Sequence, residues 1–230
     1  MTLTRTQRAA AAAVILALLF AGYATVSSAW GDEPAAQASP ARDSADAGFA
    51  RDMSVHHQQA VEMSFLVRDR TQDEEVRRLA YDIANTQANQ RGMMLGWLDL
   101  WGLPKVESGT EPMAWMNTGG GHSGHGGSSG HGGHGGGDAA GAAGGALMPG
   151  MATAAELGQL NKLGGKQAEI LYLQLMIDHH EGGVAMAQGC ATQCTVDVER
   201  KLAQGMVDAQ QSEIALMTDL LKKRGAAPRP

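Results

Sequence analysis

A shift of 123 residues lays the second half of this chain on the first without a gap, and no other feature constrains the fold as tightly. Met53 falls on Met176, His56-His57 on His179-His180, Val61 on Val184 and Met63 on Met186. In the same register Arg77 falls on Arg200, Leu79-Ala80 on Leu202-Ala203, Gln87 on Gln210, Met94 on Met217 and Leu98 on Leu221. One register running through two helical segments and the loop between them means that a single helical hairpin occurs twice. Each hairpin carries an apolar stripe that must be taken out of water, and the other copy supplies the surface to do it. The expected fold is therefore all-α, a four-helix bundle built from two duplicated helical hairpins about a pseudo-two-fold axis.

Helical patterning predicts the first hairpin over residues 46–103, with its second helix starting at the acidic run Thr71-Gln-Asp-Glu-Glu75. Residues 151–224 hold the second hairpin, led by a short helix that Thr153 and Glu156 open as a capping-box pair. Between the two, residues 104–150 lose periodicity and read as a Met/His/Gly-rich flexible linker, with His122, His125, His131 and His134 set among glycines. Residues 30–45, rich in Ala, Pro, Ser and Asp, read as a disordered tether, and 225–230 as a tail. Residues 1–29 combine Arg5 and Arg8, an apolar stretch from Ala9 and the small residues Ser27-Ser28-Ala29. That is the layout of a secretory signal peptide, or of a membrane anchor if it stays uncleaved. Both readings put the remaining chain outside the cytoplasm. A formal net charge of -6 with scattered basic residues speaks against a nucleic-acid partner.

At about 100° per residue, Phe49, Met53, His56, His57, Ala60 and Met63 fall within an arc of about 120°, as do Tyr172, Met176, His179, His180, Gly183 and Met186. The histidines thus share the stripe that faces the bundle axis with the methionines. The partner helices present Met94 and Met217 in stripes that are apolar except at Gln87, Gln90, Gln210 and Glu213. Buried imidazoles need partners for a donor and an acceptor each. Gln87, Gln210, Glu213, Asp52 and Asp178 could supply them, leaving a structural polar layer. Alternatively, thioether with imidazole is the donor set suited to copper, Cu(I) especially. Adjacent histidines diverge by about 100°, so one of each pair is expected to ligate while the other faces the rim or bonds a carboxylate.

Met113 and Met116, and Met148 and Met151, bracket the His/Gly tract in loop-like sequence, where core packing explains methionine poorly. All eight histidines lie in the two cassettes or the linker, the clustering that capture of a late transition metal requires. The two cysteines, Cys190 and Cys194, read as a disulfide closing a small loop, with ligation of a soft ion by both thiolates as the competing reading. No Glu-x-x-His pair of the di-iron kind and no nucleophile beside these histidines points to an enzyme. The reading is a metal-binding protein, copper in the form of Cu(I) or Cu(II) being the expected ion. A binding or interaction module of the cell envelope with a structural His/Met layer is the alternative.

Two runs carry a family resemblance. Met148-Pro-Gly-Met-Ala-Thr-Ala-Ala-Glu-Leu157 with Leu175-Met-Ile-Asp-His-His-Glu-Gly-Gly-Val-Ala-Met-Ala187, and Asp52-Met-Ser-Val-His-His-Gln-Gln-Ala-Val-Glu-Met63, resemble the signature of the DUF305 family. The resemblance spans about residues 46–103 and 148–223. It implies a ferritin-like four-helix fold in bacterial exported proteins, some of which bind copper and support copper tolerance. It points to Met53, His56, His57, Met63, Met176, His179, His180 and Met186 as ligands. The cysteine loop and the His/Gly insert lie outside that pattern.

Overall fold

Helix boundaries in the computed structural model, which describes residues 39–117 and 145–230, follow the local capping chemistry. Ser44 accepts from the Ala47 amide to open α1 (Ala45–Arg68), and Asp73 accepts from Val76 to open α2 (Glu74–Leu100), whose first turn carries Glu74 and Glu75. A 3₁₀ turn covers Ala114–Asn117. The expected capping box of Thr153 and Glu156 opens α3 (Ala154–Lys162). The second hairpin is α4 (Gly165–Gln193) and α5 (Asp197–Lys223). Both ends of α2 map onto both ends of α5 by the 123-residue shift that relates the sequences. No strand occurs among the described residues.

The four long helices form the expected bundle, with α2 packed on α1, α5 on α4, and the hairpins joined chiefly through α1 and α4. Val196, which precedes α5, offers no side-chain cap, and a residue of the other hairpin holds the turn that leads into the helix. Asp46 accepts from the Thr195 and Val196 amides at 2.8 Å each. Glu169, its counterpart in the duplication, holds Arg224 at 2.7 Å and accepts from the Thr71 hydroxyl. Each hairpin thus carries a carboxylate that fixes the turn of the other.

Two parts of the chain expected to be flexible are tied down where they are described. Asp52 accepts from the Met113 amide at 2.8 Å and the Trp115 indole at 3.0 Å, and Trp115 lies where a Cβ on Gly48 would be, 2.5 Å away. The Gln59 amide exchanges two hydrogen bonds with the Ala152 backbone, at 2.9 and 2.6 Å, so residues 148–152 form a strap across α1 and α4. Gly182 admits that strap, since a Cβ there would stand 2.1 Å from the Pro149 carbonyl oxygen. The C-terminal tail is anchored through Arg229, which pairs with Asp178 and Glu156. Residues 1–29, the tether up to residue 38, and the tract holding His122, His125, His131 and His134 lie outside the described residues. Among the described residues no helix is long and apolar enough to cross a membrane.

Replacing Gly182 with Ala forces the strap off α4 and costs about 1–3 kcal/mol in urea unfolding. Gly92→Ala, at an exposed position of α2 with nothing within 4 Å, stabilises by up to about 1 kcal/mol. An unchanged midpoint for Gly182→Ala contradicts the close approach.

Candidate metal centre

The pattern placed all four cassette histidines on the stripe facing the axis, and His56, His57, His179 and His180 have no exposed surface at all. None faces the rim; the other role expected for the second member of a pair, bonding a carboxylate, is met by His180 at Glu213, whereas His57 meets an amide, that of Gln90. The two members of a pair differ in another way. His56 and His179, equivalent in the duplication, stack on each other with ring centroids 3.7 Å apart. His57 and His180 turn outward to the second helix of their own hairpin, where the His57 Nε2–H donates to Gln90 at 2.8 Å and the His180 Nε2–H to Glu213 at 2.7 Å. The His179 Nε2–H donates to the His56 carbonyl, also at 2.8 Å.

Ring partners were expected at Gln87, Gln210, Glu213, Asp52 and Asp178, and only Glu213 serves. Both polar atoms of the Gln87 amide and Oε1 of Gln210 are buried without a hydrogen bond. Asp52 is occupied by the linker backbone and Asp178 by Arg229, because both carboxylates lie toward the strap side of their helices. Gln90 was visible as a polar break in an apolar stripe, and its 33-residue spacing from His57 matches that of Glu213 from His180.

This bonding fixes the tautomers. With Nε2 donating in His57 and His179, the neutral ring presents Nδ1 as a bare lone pair, and the Nδ1 atoms of His57, His179 and His180 are all buried without a partner. His56 has neither nitrogen in a hydrogen bond, although the Pro149 carbonyl of the strap lies against it. Burial pushes His56 down to about 3, helped by His57 and His180, and pushes His57 down to about 3 despite the Gln90 bond. His179 is held well below the usual range by burial and then by His56 and His180. His56, His57 and His179 are thus neutral imidazole donors with unsatisfied lone pairs, the protonation state that metal ligation needs.

Methionines flank this layer on both sides, in an arrangement the linear cassette conceals. Ten residues of helix span about 15 Å, so the two methionines of one cassette cannot meet. Met53 instead shares an apolar cluster with Met186 and Met94, while Met63 shares the opposite one with Met176 and Met217. These two triads are related by the duplication. The pseudo-symmetry breaks at the first cluster, which also takes in Met148 and Met206, with Met113, Met116 and Met151 packed against it. The expectation that linker methionines stand apart from the core is therefore corrected: the ends of the linker fold back onto the bundle, and Met148 is 1% exposed. Met206 was missed as a site candidate because its counterpart, Ile83, carries no donor.

Among the described residues, the only three His, Cys, Asp or Glu donors whose ligand atoms lie within 4.8 Å of one another are Cys190, Cys194 and Glu199. The cysteines form the expected disulfide, and burial followed by the Asp46 carboxylate pushes Glu199 up to about 9. The imidazoles form no such triad among the described residues.

The family described as "Domain of unknown function (DUF305)" matches residues 46–221. A DUF305 protein from Streptomyces coelicolor, provisionally described as secreted, is 60% identical with a TM-score of 0.69, over 83% of this chain and 99% of its own. A DUF305 fragment from Deinococcus radiodurans is 29% identical with a TM-score of 0.57, over 78% and 96%. CopM in its Cu(I)-bound form shares the fold at 19% identity and a TM-score of 0.53, over 77% and 96%, and its Cu(II)-bound form does so at 18% and 0.53. No curated protein matches the chain.

Unfolded imidazoles take up protons near 6.5, whereas His56 and His57 resist protonation down to about 3. Between those values the unfolded chain binds more protons, so stability is full above about pH 6.5 and falls as the pH drops. The thermal midpoint of the metal-free protein declines from pH 7 to pH 4, each of these histidines adding up to about 1.4 kcal/mol per pH unit, and His57→Gln flattens the slope. Equal slopes in the two proteins overturn this assignment.

Proposed function

The chain belongs to the DUF305 family, and from that premise we propose that it is an extracytoplasmic metal-binding protein that sequesters copper through its histidine layer and the flanking methionine clusters. The observation that carries this reading is the set of buried imidazoles whose Nδ1 lone pairs have no partner, set between two thioether triads. Leaving a buried acceptor unsatisfied costs about 1–3 kcal/mol, and a cation taken up there turns that cost into binding energy. Imidazole and thioether together are soft enough to favour Cu(I) over the hard divalent ions. His57 and His180 would ligate through Nδ1, their Nε2–H bonds to Gln90 and Glu213 holding the rings in place. Met53, Met94 and Met186 would supply sulfur at one end of the layer, and Met63, Met176 and Met217 at the other. Met113, Met116, Met148 and Met151 would add donors at the first end, and the linker histidines a weaker collecting tract.

CopM has been seen in Cu(I)- and Cu(II)-bound forms, which supports copper as the ion to test first. Export is supported by the basic-then-apolar N-terminus and by the provisional description of the Streptomyces relative as secreted. The role proposed is binding, the cassettes carrying neither a Glu-x-x-His pair nor a nucleophile beside their histidines in the sequence.

A second reading keeps the histidines as a structural layer, favoured by the hydrogen bonds that three of the four rings already make. Anaerobic Cu(I) titration against a chromophoric chelator separates the two. Protein lacking residues 119–137 is expected to retain stoichiometric tight binding, and the His57→Leu/His180→Leu variant to lose at least about tenfold in affinity. Equal affinity in that variant, with helical content intact by circular dichroism, supports the structural layer. Binding that vanishes with residues 119–137 moves the capacity to the linker, against the proposal.

A further inference from the structure

The duplication provides an internal control for the corner between α4 and α5. Cys190, Cys194 and Glu199 stand in register with Val67, Thr71 and Val76 of the first hairpin. Those three are buried without a metal-type donor set, at 0%, 2% and 0% exposure, so the corner packs well without one. In the second hairpin all three positions carry soft or anionic donors, and their ligand atoms come within 4.8 Å of one another.

A structural disulfide accounts for two of these changes and leaves the third unexplained. Glu199 has no exposed surface, and neither carboxylate oxygen has a hydrogen-bond partner. Its acidic neighbour Asp46, bound by the Thr195 and Val196 amides, can only accept, so together with burial it holds Glu199 as a neutral acid and supplies no cation to pair with the carboxylate. A buried carboxylate in such a place is costly unless it is paired or coordinates a cation. The disulfide also closes a loop between residues only four apart, the kind of short loop that gains least from cross-linking.

We propose that Cys190, Cys194 and Glu199 form a second metal site, masked while the cysteines are joined and opened when a dithiol reductant cleaves the disulfide, with a thiophilic divalent cation of the Zn(II) or Cd(II) class as its ligand. The reductant's two thiols deliver two electrons and two protons to the S–S bond and become a disulfide themselves. The cation then displaces the two thiol protons and the proton that burial keeps on Glu199, and is held by two thiolates and the Glu199 carboxylate, a donor set suited to these ions. Cys190 lies in the last turn of α4 and Cys194 caps it, so i,i+4 geometry keeps the sulfurs adjacent after the bond is broken. Glu199 sits in the first turn of α5 and faces them across the corner. Both cysteines are buried, so the reductant reaches them by local opening there. The site stands independently of the copper reading, since none of its donors is a cassette histidine or methionine.

The test uses the full chain, reduced with dithiothreitol, freed of reductant under anaerobic conditions and titrated with Cd(II) while the thiolate-to-cadmium charge-transfer absorption is followed. Imidazole and thioether give no such band. Reduced protein is expected to develop the band to one equivalent and oxidised protein to lack it. Glu199→Gln keeps the band but binds Cd(II) about tenfold or more weakly. The Cys190→Val/Cys194→Thr/Glu199→Val variant, which copies the other hairpin and so retains a fold already shown to pack, has no band. His57→Leu/His180→Leu keeps it, so failure of the copper site leaves this result unchanged. If reduction lowers the helical signal, Cd(II) restores it. No band in reduced protein, no restoration, or full affinity in Glu199→Gln overturns the proposal. Free thiols that reoxidise readily without binding Cd(II) do the same, and make Glu199 a proton acceptor for a thiol–disulfide couple.

Discussion

Four imidazoles taken wholly out of water between two antiparallel helices are the constraint around which the bundle is organised. Buried rings must spend their hydrogen-bonding capacity inside the protein. The bundle does this asymmetrically around three of the rings, committing Nε2 to a carbonyl, an amide or a carboxylate and leaving Nδ1 bare, while His56 bonds through neither nitrogen. The stacked His56/His179 pair marks the pseudo-two-fold axis, and the methionine triads follow as its consequence. Because α1 and α4 run in opposite directions past this pair, the first methionine of one cassette meets the last of the other. A layer of this kind does not exist in a single hairpin.

Departures from the pseudo-symmetry carry as much information as the symmetry. Glu213 replaces Gln90 beneath one outer histidine, so His180 donates to a carboxylate where His57 donates to an amide. A carboxylate partner makes an imidazole the more basic ligand, and the two halves of the layer are thereby made unequal. Sulfur is also unequally spread: the linker methionines, Met206 and the disulfide gather with Met53, Met94 and Met186, whereas the opposite cluster holds only its triad. Duplication supplied the scaffold, and later differences at single positions gave its two ends different chemistry.

Much of this was legible in the sequence because it rests on periodicity and register. The helices, the hairpin duplication, the burial of the cassette histidines and the capping box at Thr153 all follow from local patterns read at 3.6 residues per turn. Contacts decided by tertiary approach were hidden. Nothing local says that Gly182 lacks a side chain so that Pro149 can lie on α4, so Met148 read as a linker residue. The helix carrying the second cassette runs on to Gln193, with the disulfide fitted to its last turn. Asp52 and Asp178 sat at plausible spacing for ring partners, but the Met113–Trp115 segment and the tail claim them first. Glu199 looks like an ordinary acid in a helix's first turn until it is set beside Val76.

The central claim is that one copper ion draws on both the histidine layer and a methionine cluster, and X-ray absorption at the copper edge tests it most directly. Protein lacking residues 119–137, loaded with one equivalent of Cu(I) under anaerobic conditions, should show imidazole nitrogen and thioether sulfur in the same first coordination shell. A shell of nitrogen and oxygen alone, or one unchanged when Met53, Met94 and Met186 are replaced by Leu together with Met63, Met176 and Met217, would contradict it.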